Sequence, residues 1–310
     1  MAGKLAARVR GLSEAAFRAQ FGREEQCRTV LFKLRWPTGF VCPACGHQGA
    51  TLLAKRQLHQ CQRCRHQASL LAGTIFHSTK LPLTQWFLAM YLLANAKNGI
   101  SSLELGRRLG VKQPTAWAMK QKLMQVMLER EARKPLDGRV ELDDAYLGGS
   151  RPGRRGRGAG GKTPFVAAVA TTPERRPRKI KLLPIRRFGK AEVATFAQSH
   201  LAPGSTVVSD GLTCWSGVEQ AACTHVAMVT GSGRRAAQWS PFKWVNTALG
   251  NIKAALAGTY RKLAAKHAGR YLASFAWRYN RRFDLATMLT RLAHSAVRTK
   301  PHPYRMLVAG

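Results

Sequence analysis

The chain has 310 residues, enough for two or three domains and at least one sizeable hydrophobic core. Its 45% hydrophobic content excludes a wholly disordered protein, and no apolar run reaches the roughly 18 residues that a membrane span requires. With 51 Lys and Arg against 15 Asp and Glu, the formal net charge is +36. A protein this positive gains most by binding a polyanion and releasing its condensed counterions, which favours DNA or RNA as the partner. The alternative is a basic surface of the ribosomal or membrane-surface type.

The first 35 residues are predicted to form a helical segment. Ser13 is the expected N-cap of a helix that carries Phe17 and Phe21. The N-terminus is basic, but it lacks the apolar core and small-residue cleavage site of a signal peptide.

Four of the seven cysteines have the spacing of a structural zinc site. Cys42-x2-Cys45 and Cys61-x2-Cys64 are separated by fifteen residues. Each CxxC turn directs two thiolates at one point, and two such turns complete a tetrahedron around the ion. We therefore predict a zinc ribbon over residues 36–80, in a protein of the reducing cytoplasm rather than one stabilised by disulfides.

Residues 81–130 are predicted to form a helical region with a helix-turn-helix. The first helix follows Pro82 with Thr84 as its cap, and the second begins with a Ser101–Glu104 capping box and ends at Gly110. The predicted helices cover Leu83–Ala96, Ser102–Leu109 and a third that begins near Pro114 and runs past Met124.

The turn between the second and third helices places polar residues where a recognition helix meets DNA. Lys112, Gln113 and Thr115 are predicted to contact base edges, while Lys120 and Lys122 face phosphates. The alternative is a plain helical hairpin packed on the zinc ribbon.

After a charged linker at 129–139, the pattern changes to that of an α/β domain. A helix at Lys190–Leu201 is predicted between the third and fourth strands, and helices resume at Trp244. This order matches an RNase H-like fold with a mixed sheet flanked by helices, assigned to residues 138–295 before a basic tail at 296–310. The predicted strands are Arg139–Leu147, Phe165–Ala170, Lys179–Ile185, Thr206–Ser209 and His225–Val229.

The loop between the first two strands is rich in Arg and Gly and contains no acid. Arg154 and Arg155 in this loop are predicted to contact the DNA backbone. A solvated loop without DNA contacts is the alternative.

Because acids are scarce, their positions are informative. Asp210 ends a predicted strand and is followed by Gly211, which permits a sharp turn. Carboxylates at adjacent strand ends can hold two hard cations about 3.5–4 Å apart. Ion pairs with the abundant arginines would explain the same residues equally well. The other acids concerned lie within eight residues: Asp137, Glu141, Asp143 and Asp144.

The chain resembles the insertion-sequence transposases of the zinc-ribbon, ISXO-like group from about Phe40 to Asp284. The resemblance depends on many short motifs in one order. They are Cys42-Pro-x-Cys-Gly, Ala72-Gly-Thr-Ile-Phe-His77, Lys80-Leu-Pro-Leu-Thr-x-Trp86, Val140-Glu-Leu-Asp-Asp, Tyr146-x-Gly-Gly149, Ser209-Asp-Gly211, Trp244-Val-Asn-Thr247, Gly258-Thr-Tyr260 and Arg278-Tyr-Asn-Arg-Arg282.

The resemblance implies a DDE-type active site that uses Mg²⁺ or Mn²⁺. Its first and second acids would be Asp143 and Asp210, and its third position falls at Asn246, 36 residues after Asp210, with a family-associated lysine at Lys253. One branch of the group has Asn in place of Glu, so this is a variant of the site. A second departure is Asp144, where relatives commonly have Glu.

The function implied is that of a DNA transposase that binds element ends, cleaves them and transfers strands into target DNA. Arg281 and Arg282 would face DNA phosphates. The implied partners are double-stranded DNA and further copies of the chain, as a homodimer or larger assembly on paired ends in the cytoplasm at the bacterial nucleoid. The alternatives are a non-catalytic DNA-binding regulator, an inactive transposase relic, and an RNase H-like nuclease without strand transfer.

Overall fold

The computed structural model describes residues 10–148, 161–229, 240–260 and 263–309, which group into two compact units. The first unit comprises the described part of Met1–Ala96 together with Ile100–Val126 and Arg281–Ala309. The second comprises Lys97–Gly99 and the described parts of Met127–Asn280.

The first unit begins with helices and a small antiparallel sheet. Ser13 caps the first helix as predicted, since its Oγ accepts a hydrogen bond from the Ala16 amide at 3.2 Å. Within the described residues, we find no helix both long and apolar enough to cross a bilayer. The elements are α1 (Glu14–Phe21), α2 (Glu24–Arg35), β1 (Ala50–Leu53), β2 (Leu58–Cys61), β3 (Gln67–Ser69), α3 (Leu83–Asn95), α4 (Ser102–Leu109) and α5 (Gln113–Ala132).

The cap of α3 differs from the sequence prediction, which assigned it to Thr84. The N-cap position is Pro82, and no side chain within the helix makes the capping bond. Instead, Glu24 Oε2 accepts hydrogen bonds from the Leu83 amide at 2.7 Å and the Thr84 amide at 3.3 Å. The acid that satisfies these amides lies some sixty positions away in the chain, so local sequence patterns do not reveal it.

The helix-turn-helix elements follow the predicted signals closely. Ser101 Oγ accepts a hydrogen bond from the Glu104 amide at 3.1 Å, and Gly110 ends α4 in the left-handed conformation with φ 66°. Helix α5 runs on to Ala132, beyond the start of the predicted linker at 129. The apolar face continues through Val126 and Met127, and this burial extends the helix.

The second unit contains a five-stranded mixed sheet with strand order β6-β5-β4-β7-β8. Strand β5 is antiparallel to both β4 and β6, whereas β4, β7 and β8 run parallel. Numbered along the chain, this order is 3-2-1-4-5, which is that of an RNase H-like sheet and confirms the predicted fold class. The strands are β4 (Arg139–Leu147), β5 (Thr163–Thr171), β6 (Pro177–Pro184), β7 (Thr206–Ser209) and β8 (Thr224–Ala227).

Helices cover both faces of this sheet, so β4 is buried on both sides. On one face, Ala145 and Leu147 belong to a core shared with α7 (Lys243–Thr259) and α8 (Ala268–Tyr279). On the other face lie α6 (Lys190–His200) and a 3-10 helix (Thr213–Ala221), packed on Val140 and Leu142. Because side chains alternate along a strand, Asp143 points to the α7 face.

The C-terminal residues group with the first unit, whereas the sequence placed a catalytic-domain boundary at 295 and a basic tail after it. Helix α9 (Met288–Ala296) contacts α2 and α3, and the Ile75 amide donates to the Ala296 carbonyl at 3.4 Å. The tail itself forms α10 (Tyr304–Ala309), which buries Leu307. Burial of these apolar side chains explains the grouping.

We expect Leu292→Ala to lower the free energy of unfolding by about 3 kcal/mol, because Leu292 is 0% exposed in α9 and truncation leaves a cavity. Urea unfolding followed by circular dichroism measures the loss. Thr290→Ala, at an exposed position of the same helix, is the matched control and should cost less than about 0.5 kcal/mol. Equal effects of the two changes would show that α9 contributes no core packing.

Candidate active site and zinc site

The sheet brings the carboxylates of two neighbouring strands to the same level. Strands β4 and β7 are parallel, with Glu141 opposite Val208, and continuing this register by two residues places Asp210 level with Asp143. Carboxylate oxygens of Asp143, Asp144 and Asp210 all lie within 4.8 Å of one another. We call this group the acidic cluster.

The Asp210 carboxylate is held in a fixed orientation. Its Oδ1 accepts hydrogen bonds from the Leu212 amide at 3.1 Å and from the indole Nε1 of Trp215 at 2.9 Å. Trp215 is fully buried in the core beneath the sheet, so its indole is a rigid donor. The turn depends on Gly211, whose φ of +83° is strained for other residues, and this agrees with the predicted sharp turn.

The electrostatics of the acidic cluster favour a bound cation. Burial, followed by the negative charges of Asp144 and Asp210, raises the pKa of Asp143 to about 7, and Lys253 acts in the opposite direction. Three crowded carboxylates repel one another, and a divalent cation relieves that repulsion. Oxygen donors of this kind are the preferred ligands of Mg²⁺ and Mn²⁺.

Helix α7 carries the other two residues that the sequence assigned to the site. It packs on β4 and β5 through buried residues that include Val245 and Ile252. Asn246 is half-buried in the first turn, and Lys253 is exposed two turns later, close enough to Asp143 to lower the pKa of its carboxyl. The structure thus brings Lys253 into the electrostatic surroundings of the acidic cluster.

Sequence reasoning named Asp144 among the clustered acids of β4 but did not assign it to the metal site. The signal was present in the run of acids within β4. Glu141 and Asp284, two other acids of the domain predicted over residues 138–295, lie outside the acidic cluster. Glu141 accepts hydrogen bonds on both oxygens, and Asp284 Oδ2 accepts from Thr287 Oγ1 at 2.8 Å and pairs with Arg291.

The four cysteines of the zinc ribbon converge as predicted. The Sγ atoms of Cys42 and Cys64 are 3.6 Å apart, and those of Cys45 and Cys61 are 3.7 Å apart. Zn–S bonds of about 2.3 Å place tetrahedral sulfurs about 3.8 Å apart, whereas a disulfide requires about 2.05 Å. These sulfurs fit a zinc ion.

The residues of the α5 region that were predicted to contact DNA differ in their exposure to solvent. Lys112 and Gln113 are exposed at the start of α5, and Thr115 is half-buried. The side-chain Nε2 of Gln113 donates a hydrogen bond to Ser102 Oγ at 2.9 Å. Lys120 is only 1% exposed, which contradicts the prediction that it faces phosphates. Its position lies on the buried face of α5 with Ala116 and Leu123, so the lysine is turned inward.

The remaining basic residues are only partly described. Arg281 and Arg282 are half-buried, and the Arg282 guanidinium lies 4.4 Å from the centroid of the Phe283 ring. Arg154 and Arg155 lie outside the described residues.

The sheet order and the carboxylates that meet at its two central strands define an RNase H-like protein. Comparison with known families agrees with this assignment. Residues 135–280 match the model of the ISXO2-like transposase domain, and residues 22–67 match that of the transposase zinc-ribbon domain. An uncharacterized protein in transposable element ISH50 of Halobacterium salinarum is 26% identical over 234 residues, which cover 69% of this chain and 76% of the relative.

The chain therefore contains a zinc ribbon and a transposase domain of the ISXO2-like kind, which confirms the resemblance drawn from the sequence motifs. The family domains support a role in DNA transposition and imply that the protein binds DNA.

We expect the protein to contain one zinc ion per chain, and Cys61→Ser to lose both the metal and the fold of the ribbon, because zinc binding is coupled to folding in such domains. Metal analysis of the purified protein and its circular dichroism measure both effects. Cys223→Ser is the control, since this buried thiol is not among the four clustered cysteines and should leave the zinc content unchanged. A metal-free protein with an intact ribbon would contradict the assignment.

Proposed function

We propose that this protein is a DNA transposase that binds element ends, cleaves them in a metal-dependent reaction and transfers the strands into target DNA. The proposal depends chiefly on the acidic cluster of Asp143, Asp144 and Asp210 inside a domain that matches the ISXO2-like transposases. Scattered carboxylates, each paired with an arginine, would have favoured a purely structural role. The cluster supports catalysis instead.

Asp143 and Asp210 are proposed to hold Mg²⁺ or Mn²⁺, with the Asn246 side-chain oxygen as a neutral ligand. Cations at such a site stabilise both the attacking and the leaving oxygen of an in-line phosphoryl transfer. The chain fixes one ligand in advance, because Trp215 and Leu212 orient the Asp210 carboxylate before any substrate binds.

Asp144 is proposed to supply the third negative charge that other DDE sites obtain from glutamate. Its carboxylate lies within the acidic cluster, whereas Asn246 is uncharged. This assignment compensates within β4 for the substitution in α7. Lys253 would contact the transferring phosphate and offset its charge.

The DNA partner follows from the family domains and from the net charge of +36. We assign base contacts to Lys112, Gln113 and Thr115, and backbone contacts to the basic residues outside the catalytic site. Paired element ends imply a homodimer or larger assembly acting on DNA in the cytoplasm. The four residues proposed to contact the DNA backbone are Arg154, Arg155, Arg281 and Arg282.

A second candidate function is that of a non-catalytic DNA-binding regulator derived from a transposase. Asn246 is the observation that favours it, since an amide has replaced the third acid. The two functions differ in one measurable property, which is metal-dependent cleavage of an element end.

Asp143→Asn and Asp210→Asn should each reduce end cleavage and strand transfer by about 1,000-fold or more, because each removes several kcal/mol of metal-mediated stabilisation. Binding of end DNA should stay nearly unchanged. The assay uses labelled duplexes that carry the inverted repeats flanking the gene, with Mg²⁺ or Mn²⁺.

Asp137→Asn is the matched control, since this exposed acid pairs with Arg178 away from the acidic cluster and should leave the rate unchanged. Full strand transfer by either active-site variant would refute the assignment. Absence of cleavage by the parent chain at any metal concentration would favour the regulator.

Asn246→Ala and Asp144→Asn together identify the third ligand. We expect each to slow strand transfer by about 10-fold to 100-fold and to raise the Mn²⁺ concentration needed for half-maximal rate, because each weakens metal binding. The measurement is a metal titration of the single-turnover rate. If Asn246→Ala has no effect while Asp144→Asn does, the site uses three carboxylates from two strands and Asn246 is not a ligand.

A further inference from the structure

Glu141 is a buried carboxylate that the proposed chemistry does not use. It lies two residues before Asp143 on β4, so the two side chains project from the same face of the sheet. Glu141 is 1% exposed, although a charged group is costly to bury without partners. Its partners therefore indicate its role.

Both oxygens of Glu141 accept hydrogen bonds. Oε2 accepts from the Trp244 amide at 2.8 Å and the Val245 amide at 2.9 Å, in the first turn of α7. Oε1 pairs with the Arg139 guanidinium at 3.1 Å. Arg139 also donates to the Pro241 carbonyl at 3.0 Å, just before the helix.

Helix α7 has no cap of its own. The N-cap residue is Phe242, and no side chain near it makes the capping bond. The first amides of a helix are unsatisfied by the helix itself and carry the positive end of its dipole. Glu141 satisfies two of these amides with one carboxylate oxygen from a different element.

This arrangement sets the register of α7 against β4. Asn246 directly follows Val245, whose amide Glu141 holds, and Lys253 lies about two turns further along. A slip of one residue would rotate Asn246 by about 100° and move it by about 1.5 Å. A displacement of about 1 Å is enough to cost roughly 100-fold in rate.

We propose that Glu141, held by Arg139, is the positioning residue that aligns Asn246 and Lys253 of α7 with the acidic cluster on β4. It acts through the backbone of Trp244 and Val245 and does not bind the metal. The inference rests on the proposed function for its effect on the reaction, whereas the anchoring itself is a property of the fold.

Glu24 provides a matched comparison for this role. It caps α3 in the same manner, with one carboxylate oxygen on the amides of Leu83 and Thr84. Removing Glu24 deletes an equivalent contact in the first unit without affecting the first turn of α7. A loss of catalysis specific to Glu141 therefore separates positioning from general stabilisation.

The test measures single-turnover strand transfer at saturating end DNA for Glu141→Ala, Glu141→Gln and Glu24→Ala. We expect Glu141→Ala to reduce the rate by about 100-fold, because the first turn of α7 loses its anchor. Glu141→Gln should recover about tenfold of this loss, since its amide oxygen still accepts from both backbone amides. Glu24→Ala should stay within about twofold of the parent rate.

A double variant gives a readout that a merely structural role would not produce. If Glu141 acts through Asn246, adding Asn246→Ala to Glu141→Ala should slow the reaction little further, because the two changes disrupt one unit. Multiplicative effects would overturn the proposal. A rate for Glu141→Ala within twofold of the parent, or equal losses for Glu141→Ala and Glu24→Ala, would overturn it as well.

Hydrogen exchange separates failure of this inference from failure of the proposed function. Peptides covering the start of α7 should exchange faster in Glu141→Ala, while those covering the start of α3 keep the parent rate, and Glu24→Ala should show the reverse. If the parent chain cleaves no DNA, the proposed function fails but this exchange pattern still supports the anchor. Unchanged exchange at α7 in Glu141→Ala refutes the anchor whether or not the protein is active.

Discussion

The parallel pairing of β4 with β7 is the constraint on which the rest of the site depends. Its register brings Asp210 level with Asp143 at the point where β7 ends. Hydrogen bonds between the strands therefore hold like charges close together, and burial, followed by this repulsion, raises the pKa of Asp143. The fold bears this cost in advance, and under the proposed function a bound divalent cation would relieve it. Preorganisation of this kind is what distinguishes a metal-binding acidic cluster from acids that pair with surface arginines.

The scarcity of acids in so basic a chain makes each one structurally distinct. Exposed acids form local ion pairs, such as Glu104 with Arg108 across one helical turn, and contribute little to stability. Two other acids serve a different purpose, because Glu24 and Glu141 each accept hydrogen bonds from the first amides of a helix that lies far away in the sequence. The result is two long-range anchors, one in each compact unit.

Local patterns in the sequence predicted most of the fold, since strand alternation, capping boxes and CxxC turns each depend on neighbouring residues. Strands β4 and β7 have the predicted bounds, and Gly110 ends α4 as expected. Predictions were wrong where tertiary contacts decide. The cap of α3 comes from Glu24 rather than Thr84, and Lys120 is buried because its position on α5 matters more than its charge. The run of acids in β4 indicated Asp144 as a candidate, but only the structure shows that its carboxylate lies close to those of Asp143 and Asp210.

The anchoring of α7 matters more in this chain because residue 246 is an asparagine, whose side chain is uncharged. A glutamate at this position would be drawn toward a divalent cation by its own charge. Small displacements of the helix that carries it would therefore matter less. An amide oxygen interacts with the same cation through a dipole alone, so its attraction is weaker and falls off faster with distance. A site that uses Asn246 therefore depends more on where the backbone places it than a site with three acids does. Glu141 and Arg139 hold that backbone on both sides of the helix start, at Pro241 and at Trp244 and Val245. In the proposed site, Asp144 would supply the third negative charge, and rigidity at the start of α7 would hold the neutral oxygen of Asn246 in place.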